Sequence, residues 1–528
     1  MIMKKIIFII LFFPLFSCND WLEVESEVSV TYRNYFQNEQ DIEQIFATMC
    51  GAEKKIYSNW DTEPMAWTSL YCDNIPASIE GYQTLNPSLY ETTKISWSSY
   101  YNIIYLANML EENRYRFENV TKERADFWIA QANFLKGLMY FEIARRWGEA
   151  PIAPGSEDAK ELAKSPVDSV LAQAIRAAEA ALILPTHDKL KDAKGNTVNS
   201  RQYASLGSVH TLLANIYAWM GGLYGDNKYW EKAEQEASFV LDGKAGSYDL
   251  VSLSDLVTKT FGSPRNTTEV IHAIEINSQD EDRFMQGKFT HNYPGMAFIT
   301  YPYASTDYKL VTSPDGTEMT RIKVETIMEL YSEPEDLRLK EFWYRLGQKI
   351  IVKEDDPSTP EDESIYDEPS EYGFINKWRE TIFSVNPDVN EGGRKLLAMD
   401  GNIIYWRLAD LILLRAECRA HLDMANAVQD LNRVRQRAGL GGYKGAWDKK
   451  TLWREIFNER DRELFGEICR YFDVVKNGYF QEIFKGNFKT LTDEDIKDGA
   501  LYLPVGGNAY RNNTLMKQNT YWSWHLVQ

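Results

Sequence analysis

Long apolar runs are nearly missing from this sequence, and so is an excess of positive charge. After the first 17 residues, no apolar stretch approaches the roughly 20 residues that a membrane-spanning helix needs. The chain has 58 Lys and Arg residues against 77 Asp and Glu residues, which gives a net charge of −19. Such a surface repels phosphate backbones, so a nucleic acid is excluded as a partner.

Cysteine and histidine are also scarce, with 5 and 6 residues. They form neither C-x-x-C nor H-E-x-x-H, so no metal centre is predicted. A G-x-S-x-G elbow and a phosphate-binding glycine loop are missing as well, which argues against hydrolases and nucleotide-binding enzymes. Cys50 and Cys72 could form a disulfide in an exported protein. Cys418 and Cys469 lie in helical patterns and are expected to be packed thiols.

Two acidic segments raise the question of calcium. Residues 188–196 contain scattered oxygen ligands without the alternation of an EF-hand loop, and residues 354–371 form an acidic run interrupted by proline. Both patterns are more typical of solvated loops. We therefore expect no cofactor, with calcium as the alternative.

The first 17 residues have the pattern of a secretion signal. Lys4 and Lys5 precede a short apolar run, Ile6 to Phe16. Leu15-Phe16-Ser17-Cys18 then resembles the lipobox of bacterial lipoproteins, whose cysteine is acylated and becomes the mature N-terminus. We expect residues 1–17 to be removed and Cys18 to carry the lipid, so that residues 18–528 are anchored to the membrane. An ordinary signal peptide followed by an incidental cysteine is the alternative.

Helical periodicity occurs in pairs of segments along the chain. The predicted helices are 121–147, 165–184, 200–219, 229–241, 405–422 and 425–437. Ser165, with Pro166 and Asp168 behind it, is typical of a helix start. Small alanines occur where paired helices must approach closely. These pairs look like degenerate tetratricopeptide repeats.

Irregular segments rich in Pro, Gly, Asn and aromatics separate the helix pairs. We expect a helical framework at about 30–50, 97–242 and 402–485, and a loop-rich lobe at about 51–96, 243–401 and 486–528. Strand-like pieces occur at 270–276 and 348–352. The predicted fold is therefore mainly α, with tetratricopeptide-like helix pairs packed against an irregular, loop-rich lobe that contains a few short strands. A rigid helical wall leaves the loops free for recognition.

Alternating charges follow one another from Arg460 to Asp473 at helical spacings of three and four. This spacing predicts a salt-bridge ladder along one helix face. A catalytic pair of carboxylates is the alternative interpretation. Asp336 with Arg338, and Arg415 with Glu417, are interpreted in the same way as framework pairs.

Aromatic residues are abundant, with 15 Trp, 31 Tyr and 24 Phe. Trp97, Phe134 and Trp147 fall in helical patterns and are predicted to be core. Two other clusters, at 59–90 and 284–308, lie where helical periodicity fails. Sugar rings stack on Trp and Tyr, while Asp and Asn bind their hydroxyls, so these loops are predicted to form one glycan platform. The predicted ligand-binding residues are Trp67, Tyr71, Asp73, Asn74, Tyr82, Tyr301, Tyr303 and Tyr308.

Several ordered motifs along the mature chain form a single pattern. Cys18-Asn19-Asp20-Trp21-Leu22 opens it, and residues 131–141 lead to Trp147-Gly148-x-x-Pro151. Arg407-Leu408-Ala409-Asp410 and Glu459-Arg460-x-Arg462-Glu463-Leu464 follow. Together they resemble the SusD/RagB family of nutrient-binding outer-membrane lipoproteins. Only the turn after Tyr502-Leu503-Pro504 departs from the family pattern.

This resemblance implies a function and a location. We expect a lipid-anchored protein on the cell surface that captures oligosaccharides or polysaccharides and delivers them to a TonB-dependent, SusC-like outer-membrane transporter. The resemblance also places ligand contacts in the loops outside the helical wall. A peptide ligand is the first alternative, and a repeat scaffold for protein partners is the second. A glycoside hydrolase is disfavoured, because nothing in the sequence marks an acid and base pair, so we expect no enzyme.

Overall fold

The structure is a computed structural model. It describes residues 35–58, 84–90, 95–157, 160–276, 302–303, 321–353, 363–383, 396–399, 401–446, 448–467 and 470–526.

A wall of helices packed in chain order makes up the first half of the described chain. The helices are α1 (Glu39–Ser58), α2 (Ser98–Glu112), α3 (Lys122–Trp147), α4 (Val167–Ala180), α5 (Leu206–Tyr224) and α6 (Asn227–Leu241). α2 packs on α3, α3 on α4, and α5 on α6. Neighbours in sequence are thus neighbours in space, as in a repeat array.

Helix α3 shows how the sequence fixes this packing. The Thr121 hydroxyl accepts a hydrogen bond from the Arg124 amide, which caps the helix start as predicted. Gly148, at φ 72°, ends the helix. Gly137 lets α4 approach closely, because a Cβ there would lie 3.0 Å from the carbonyl oxygen of Ala174.

The late helices extend the same wall. They begin with α10 (Leu408–His421), α11 (Ala427–Arg437), α12 (Lys449–Glu463) and α13 (Arg470–Lys476). α10 packs against α6 as well as against α11 and α12, so it joins the two halves of the chain. The remaining helices are short: α7 (Leu253–Asp255), α8 (Val324–Leu330), α9 (Arg338–Glu341), α14 (Phe480–Ile483), α15 (Asp493–Lys497) and α16 (Thr520–His525).

In the described part of the chain, four two-stranded antiparallel sheets lie between these helices. They pair β1 (Val270–Ile274) with β8 (Ile403–Arg407), β2 (Trp343–Tyr344) with β5 (Phe374–Ile375), β3 (Lys349–Lys353) with β4 (Glu363–Pro369), and β6 (Thr381–Phe383) with β7 (Leu396–Met399). In the first sheet Val270 faces Arg407 and Ile274 faces Ile403, and every residue of both strands is buried.

The predicted fold class is confirmed: the described chain is mainly helical with a few short strands. The predicted core residues Trp97, Phe134 and Trp147 are buried in one continuous hydrophobic cluster. Among the described residues, the structure contains no helix with the length and hydrophobicity to cross a membrane.

At three of the predicted helix starts, the structure shows a different cap or a different element. Ser165 does not cap α4; its backbone instead pairs with Ala150 in an antiparallel bridge, and Pro166 precedes the helix. Residues 405–407 belong to strand β8, because the run of β-branched and aromatic residues from Ile403 onward pairs with β1. The helix predicted from Ser200 begins at Leu206, after Ser205 has formed a capping box with Ser208.

Candidate functional site

Tyr303 is the predicted ligand-binding residue that the structure describes. Its hydroxyl donates a hydrogen bond to Oδ1 of Asn376, and its ring meets Tyr344 edge-on at a centroid distance of 6.2 Å. All three side chains are partly exposed. The other predicted residues lie outside the described part of the chain: Trp67, Tyr71, Asp73, Asn74, Tyr82, Tyr301 and Tyr308.

Asn376 is held in place by the backbone around it. Its Nδ2 donates to the carbonyl oxygen of Glu341 at 3.0 Å, and its amide donates to that of Phe342 at 2.7 Å. Its own carbonyl oxygen accepts a hydrogen bond from Nε of Arg379 at 3.2 Å. Asn376 therefore fixes both Tyr303 and Arg379 relative to the end of α9.

These residues offer aromatic faces and hydrogen-bonding groups to a ligand. Burial raises the pKa of Tyr303, and Arg379 opposes that rise only in part, so the hydroxyl stays protonated at neutral pH. Such a combination of tyrosine rings, an amide and a guanidinium suits a polyhydroxylated ligand. We call Tyr303, Tyr344, Asn376 and Arg379 the Tyr303 site.

A buried lysine anchors the segment beneath this site. Nζ of Lys377 donates to the carbonyl oxygens of Phe465 at 3.0 Å and Glu463 at 3.3 Å, and to the carboxylate of Glu467. Burial lowers the pKa of Lys377 to about 8, although Glu467 favours its charged form. The loop that carries Asn376 is thereby attached to the end of α12.

Around Lys377 lies a network of buried charges. Arg407 Nη1 is 2.6 Å from Glu463 Oε1 and 2.8 Å from Glu269 Oε1. Arg338 Nη1 is 2.8 Å from Glu459 Oε1. Although burial opposes ionisation of Glu463, the surrounding arginines hold its pKa well below the ordinary value. These charges therefore connect four distant segments of the chain.

This network corrects the predicted ladder along one helix face. Helix α12 ends at Glu463, so the charges after it belong to other segments. Arg460 pairs with Asp473 at 2.9 Å and with Asp410 of α10 at 2.8 Å. The structural interpretation holds, but the partners are buried and come from different elements.

The two shorter charge motifs have different outcomes. Asp336 and Arg338 pair with each other at 2.7 Å, as predicted. Arg415 instead pairs with Asp430 at 2.7 Å, and Glu417 pairs with Lys476 at 2.8 Å. The second motif is also part of the framework, through partners on other helices.

The segment 188–196 is folded on itself. Oδ1 of Asp192 accepts hydrogen bonds from the amides of Lys194 at 2.9 Å and Asn196 at 2.7 Å. Within the described ranges, no group of three or more His, Cys, Asp or Glu side chains could hold a metal ion. Residues 354–362, Cys18, Cys72 and Cys469 lie outside the described ranges, whereas residues 363–369 form strand β4. Cys418 is a buried free thiol.

Comparison with known families identifies two matching segments. The model described as "SusD family" matches residues 315–522, and the model described as "Starch-binding associating with outer membrane" matches residues 20–210. Together the two segments cover most of the chain.

Individual relatives match over nearly their full length. Two SusD-like proteins of Formosa agariphila are 22% and 23% identical to this chain, and each alignment covers 91% of it and 91% or 92% of the relative. A solved SusD homologue of Bacteroides thetaiotaomicron has a TM-score of 0.69 at 19% identity, over 92% of this chain and 99% of its own. NanU of B. fragilis has a TM-score of 0.66 at 17% identity, over 94% of this chain and 100% of its own.

The ordered motifs, the helical wall with its short strands, and the two matching segments agree. This chain belongs to the SusD/RagB family.

Proposed function

We propose that this chain is a cell-surface glycan-binding lipoprotein that captures oligosaccharides or polysaccharides and delivers them to a TonB-dependent, SusC-like outer-membrane transporter. The observation that carries the proposal is the match of residues 20–210 to a family described as starch-binding and associated with the outer membrane. Attachment to that membrane would use a lipid on Cys18.

The chemistry of the Tyr303 site supports a sugar ligand. Partly exposed rings of Tyr303 and Tyr344 can pack against the C–H faces of pyranose rings. Asn376 and Arg379 supply hydrogen-bonding groups to the same place. The predicted loop aromatics at 59–90 and 284–308 would extend this surface along a polymer.

Binding without catalysis is supported by the state of the charged motifs. A glycosidase needs two carboxyl groups that flank the scissile bond. Glu463 is completely buried and paired with Arg407, and Glu467 is paired with Arg407 and Lys377. These carboxylates stabilise the framework through their ion pairs, and burial keeps a sugar from reaching Glu463.

A glycan array probed with residues 19–528 tests the ligand class. The expected result is binding to one family of glycans, with no shorter products when the bound polysaccharide is incubated with the protein and chromatographed. Cleavage would identify an enzyme instead. A blank array together with retention of a peptide library would point to a peptide ligand.

The transporter part of the proposal needs a separate experiment. The lipidated protein should co-purify with a TonB-dependent transporter from gently solubilised outer membranes. Purification of the protein alone under conditions that preserve other membrane complexes would contradict this part and leave glycan binding intact.

A further inference from the structure

Three polar side chains meet in the segments that follow α4 and α6. The rings of His187 and Tyr248 lie 5.0 Å apart at 46°, and the guanidinium carbon of Arg201 lies 5.8 Å from the centre of the Tyr248 ring. All three side chains are partly exposed. We call these residues the Arg201 cluster.

The cluster is rigidly supported. The Tyr248 hydroxyl is 3.1 Å from Oγ of Ser205, the residue that caps α5. Nε of Arg201 donates to Oδ1 of Asn266 at 3.1 Å, and Nδ2 of Asn266 donates to the carbonyl oxygen of Asn199 at 2.7 Å. Tyr248 and Arg201 are therefore held in place by the protein itself, which is the arrangement that a preorganised binding site requires.

Two nitrogens of the cluster have no hydrogen-bond partner in the described part of the chain. They are Nη1 of Arg201 and Nδ1 of His187, and both atoms are buried. An unpaired buried polar group destabilises the folded state, so such groups call for an explanation. Gly246 leaves space beside one of them, because a Cβ there would lie 3.2 Å from Nδ1 of His187.

In contrast to the half-buried Arg201, the fully buried arginines in the described part of the chain are paired with carboxylates. Arg407 and Arg415, for example, have carboxylate oxygens at 2.6 and 2.7 Å. Burial disfavours the charged form of Arg407, but its carboxylate partners outweigh this effect and raise its pKa. For Arg201, burial lowers the pKa. No carboxylate of the described residues forms an ion pair with Arg201. The negative charge of Asp188 favours higher pKa values for His187 and Tyr248. Its carboxylate is exposed and forms a hydrogen bond with Thr186.

We propose that the Arg201 cluster binds an oxyanion, either an inorganic ion such as sulfate or the acidic group of a sugar. Nη1 of Arg201 would donate to one oxygen and supply the compensating charge. His187 would donate from Nδ1 to a second oxygen in the tautomer that carries its proton there. The Tyr248 ring, which lies close to both groups, would form one side of the site. This site stands independently of the Tyr303 site and of the proposed glycan ligand.

Titration calorimetry on the mature protein tests the proposal with three probes: sodium sulfate, glucuronate and glucose. Sodium chloride at the same ionic strength is the control for sulfate. We expect binding of sulfate, glucuronate or both, and none of glucose. Arg201→Gln should weaken that binding by about tenfold or more, because it removes a charge-assisted hydrogen bond. Arg176→Gln is the matched control, since Arg176 is exposed and hydrogen-bonds to Gln173.

The two arms distinguish the source of the anion. Binding of sulfate alone indicates an inorganic or sulfate-ester ligand, and binding of glucuronate indicates a sugar carboxylate. Failure of both to bind, or equal binding by Arg201→Gln and the parent, overturns the proposal.

A measurement on the unaltered protein covers the case in which Arg201→Gln does not fold. Crystals soaked in selenate should show an anomalous peak within hydrogen-bond distance of the Arg201 guanidinium. Selenate peaks that occur only elsewhere would overturn the proposal.

Discussion

Arg460→Ala probes the buried charge network more directly than any other substitution. Nε of Arg460 is 2.9 Å from Oδ2 of Asp473, and Nη2 is 2.8 Å from Oδ1 of Asp410. The arginine side chain is only 3% exposed. Its removal therefore leaves two carboxylates of the interior without their main partner.

Two routes give the size of the effect. Removing one member of a buried ion pair costs about 3–5 kcal/mol. For Asp473, burial opposes ionisation, but Arg460 and Lys476 lower the pKa from 3.8 to about 2. That difference corresponds to roughly 2–3 kcal/mol in favour of the ionised form. Because Lys476 stays 3.2 Å from Asp473 in the variant, we expect a loss of about 3 kcal/mol in the free energy of unfolding.

Urea denaturation at neutral pH measures this loss. The matched control is Arg114→Ala, because Arg114 pairs with Asp126 but is 42% exposed, and such pairs contribute about 1 kcal/mol or less. Glycan affinity of the folded Arg460→Ala protein should equal that of the parent. Equal losses of stability in the two variants would refute burial of the network, and unchanged stability with lost binding would make Arg460 a ligand residue.

The pair of Arg460 and Asp473 also predicts how the stability of the fold changes at acid pH. Because the folded-state pKa of Asp473 is lowered, its contribution is complete above about pH 4 and is lost as the pH falls towards 2. The difference in stability between the parent and Arg460→Ala should narrow over that range. A difference that stays constant down to pH 2 would contradict the assignment.

Three further predictions concern the anchor, the loops and a buried lysine. Cys18→Ala should abolish acylation, and unchanged labelling by a fatty-acid probe would contradict it. We expect a loss of about 1–3 kcal/mol in the free energy of glycan binding, a tenfold to hundredfold loss of affinity, for each of Trp67→Ala, Tyr82→Ala and Tyr301→Ala. The melting temperature should change little. Normal affinity in all three variants would show that the platform is formed by other residues. Burial lowers the pKa of Lys377 to about 8, so keeping this lysine charged in the folded state costs stability. Relative to Lys377→Met, the free energy of unfolding of the parent should therefore rise by about 2 kcal/mol between pH 7.5 and 9.5. The same dependence on pH in both proteins, measured by urea denaturation, would contradict this.

Local signals in the sequence predicted local structure well. Thr121 and the apolar spacing behind it place α3 correctly, and the same spacing identifies Phe134 and Trp147 as core. The error at Tyr405 arises because strand β8 runs directly into α10, so the helical period seems to begin early. Only the pairing of β8 with β1, far away in sequence, decides between strand and helix.

Contacts between distant segments explain what the sequence did not predict at the site. Tyr303 was predicted because aromatics cluster where periodicity fails, and its contact with a ligand stays a prediction. Its neighbours Asn376 and Arg379 were not predicted, because an isolated amide and arginine in an irregular segment have no local pattern that marks them. The charge spacing after Arg460 likewise predicted pairing but not partners, since Asp410 approaches Arg460 only through the packing of α10 on α12.

Titration calorimetry with the polysaccharide selected on the array tests the central claim most directly. The parent protein, Tyr303→Ala and Tyr105→Ala would be compared, because Tyr105 is 47% exposed on α2 and serves as a matched aromatic control. The account predicts that Tyr303→Ala weakens binding by about tenfold to a hundredfold while Tyr105→Ala binds like the parent, with the polysaccharide recovered uncleaved. Equal affinity of all three proteins, or recovery of shortened sugar chains, would contradict it.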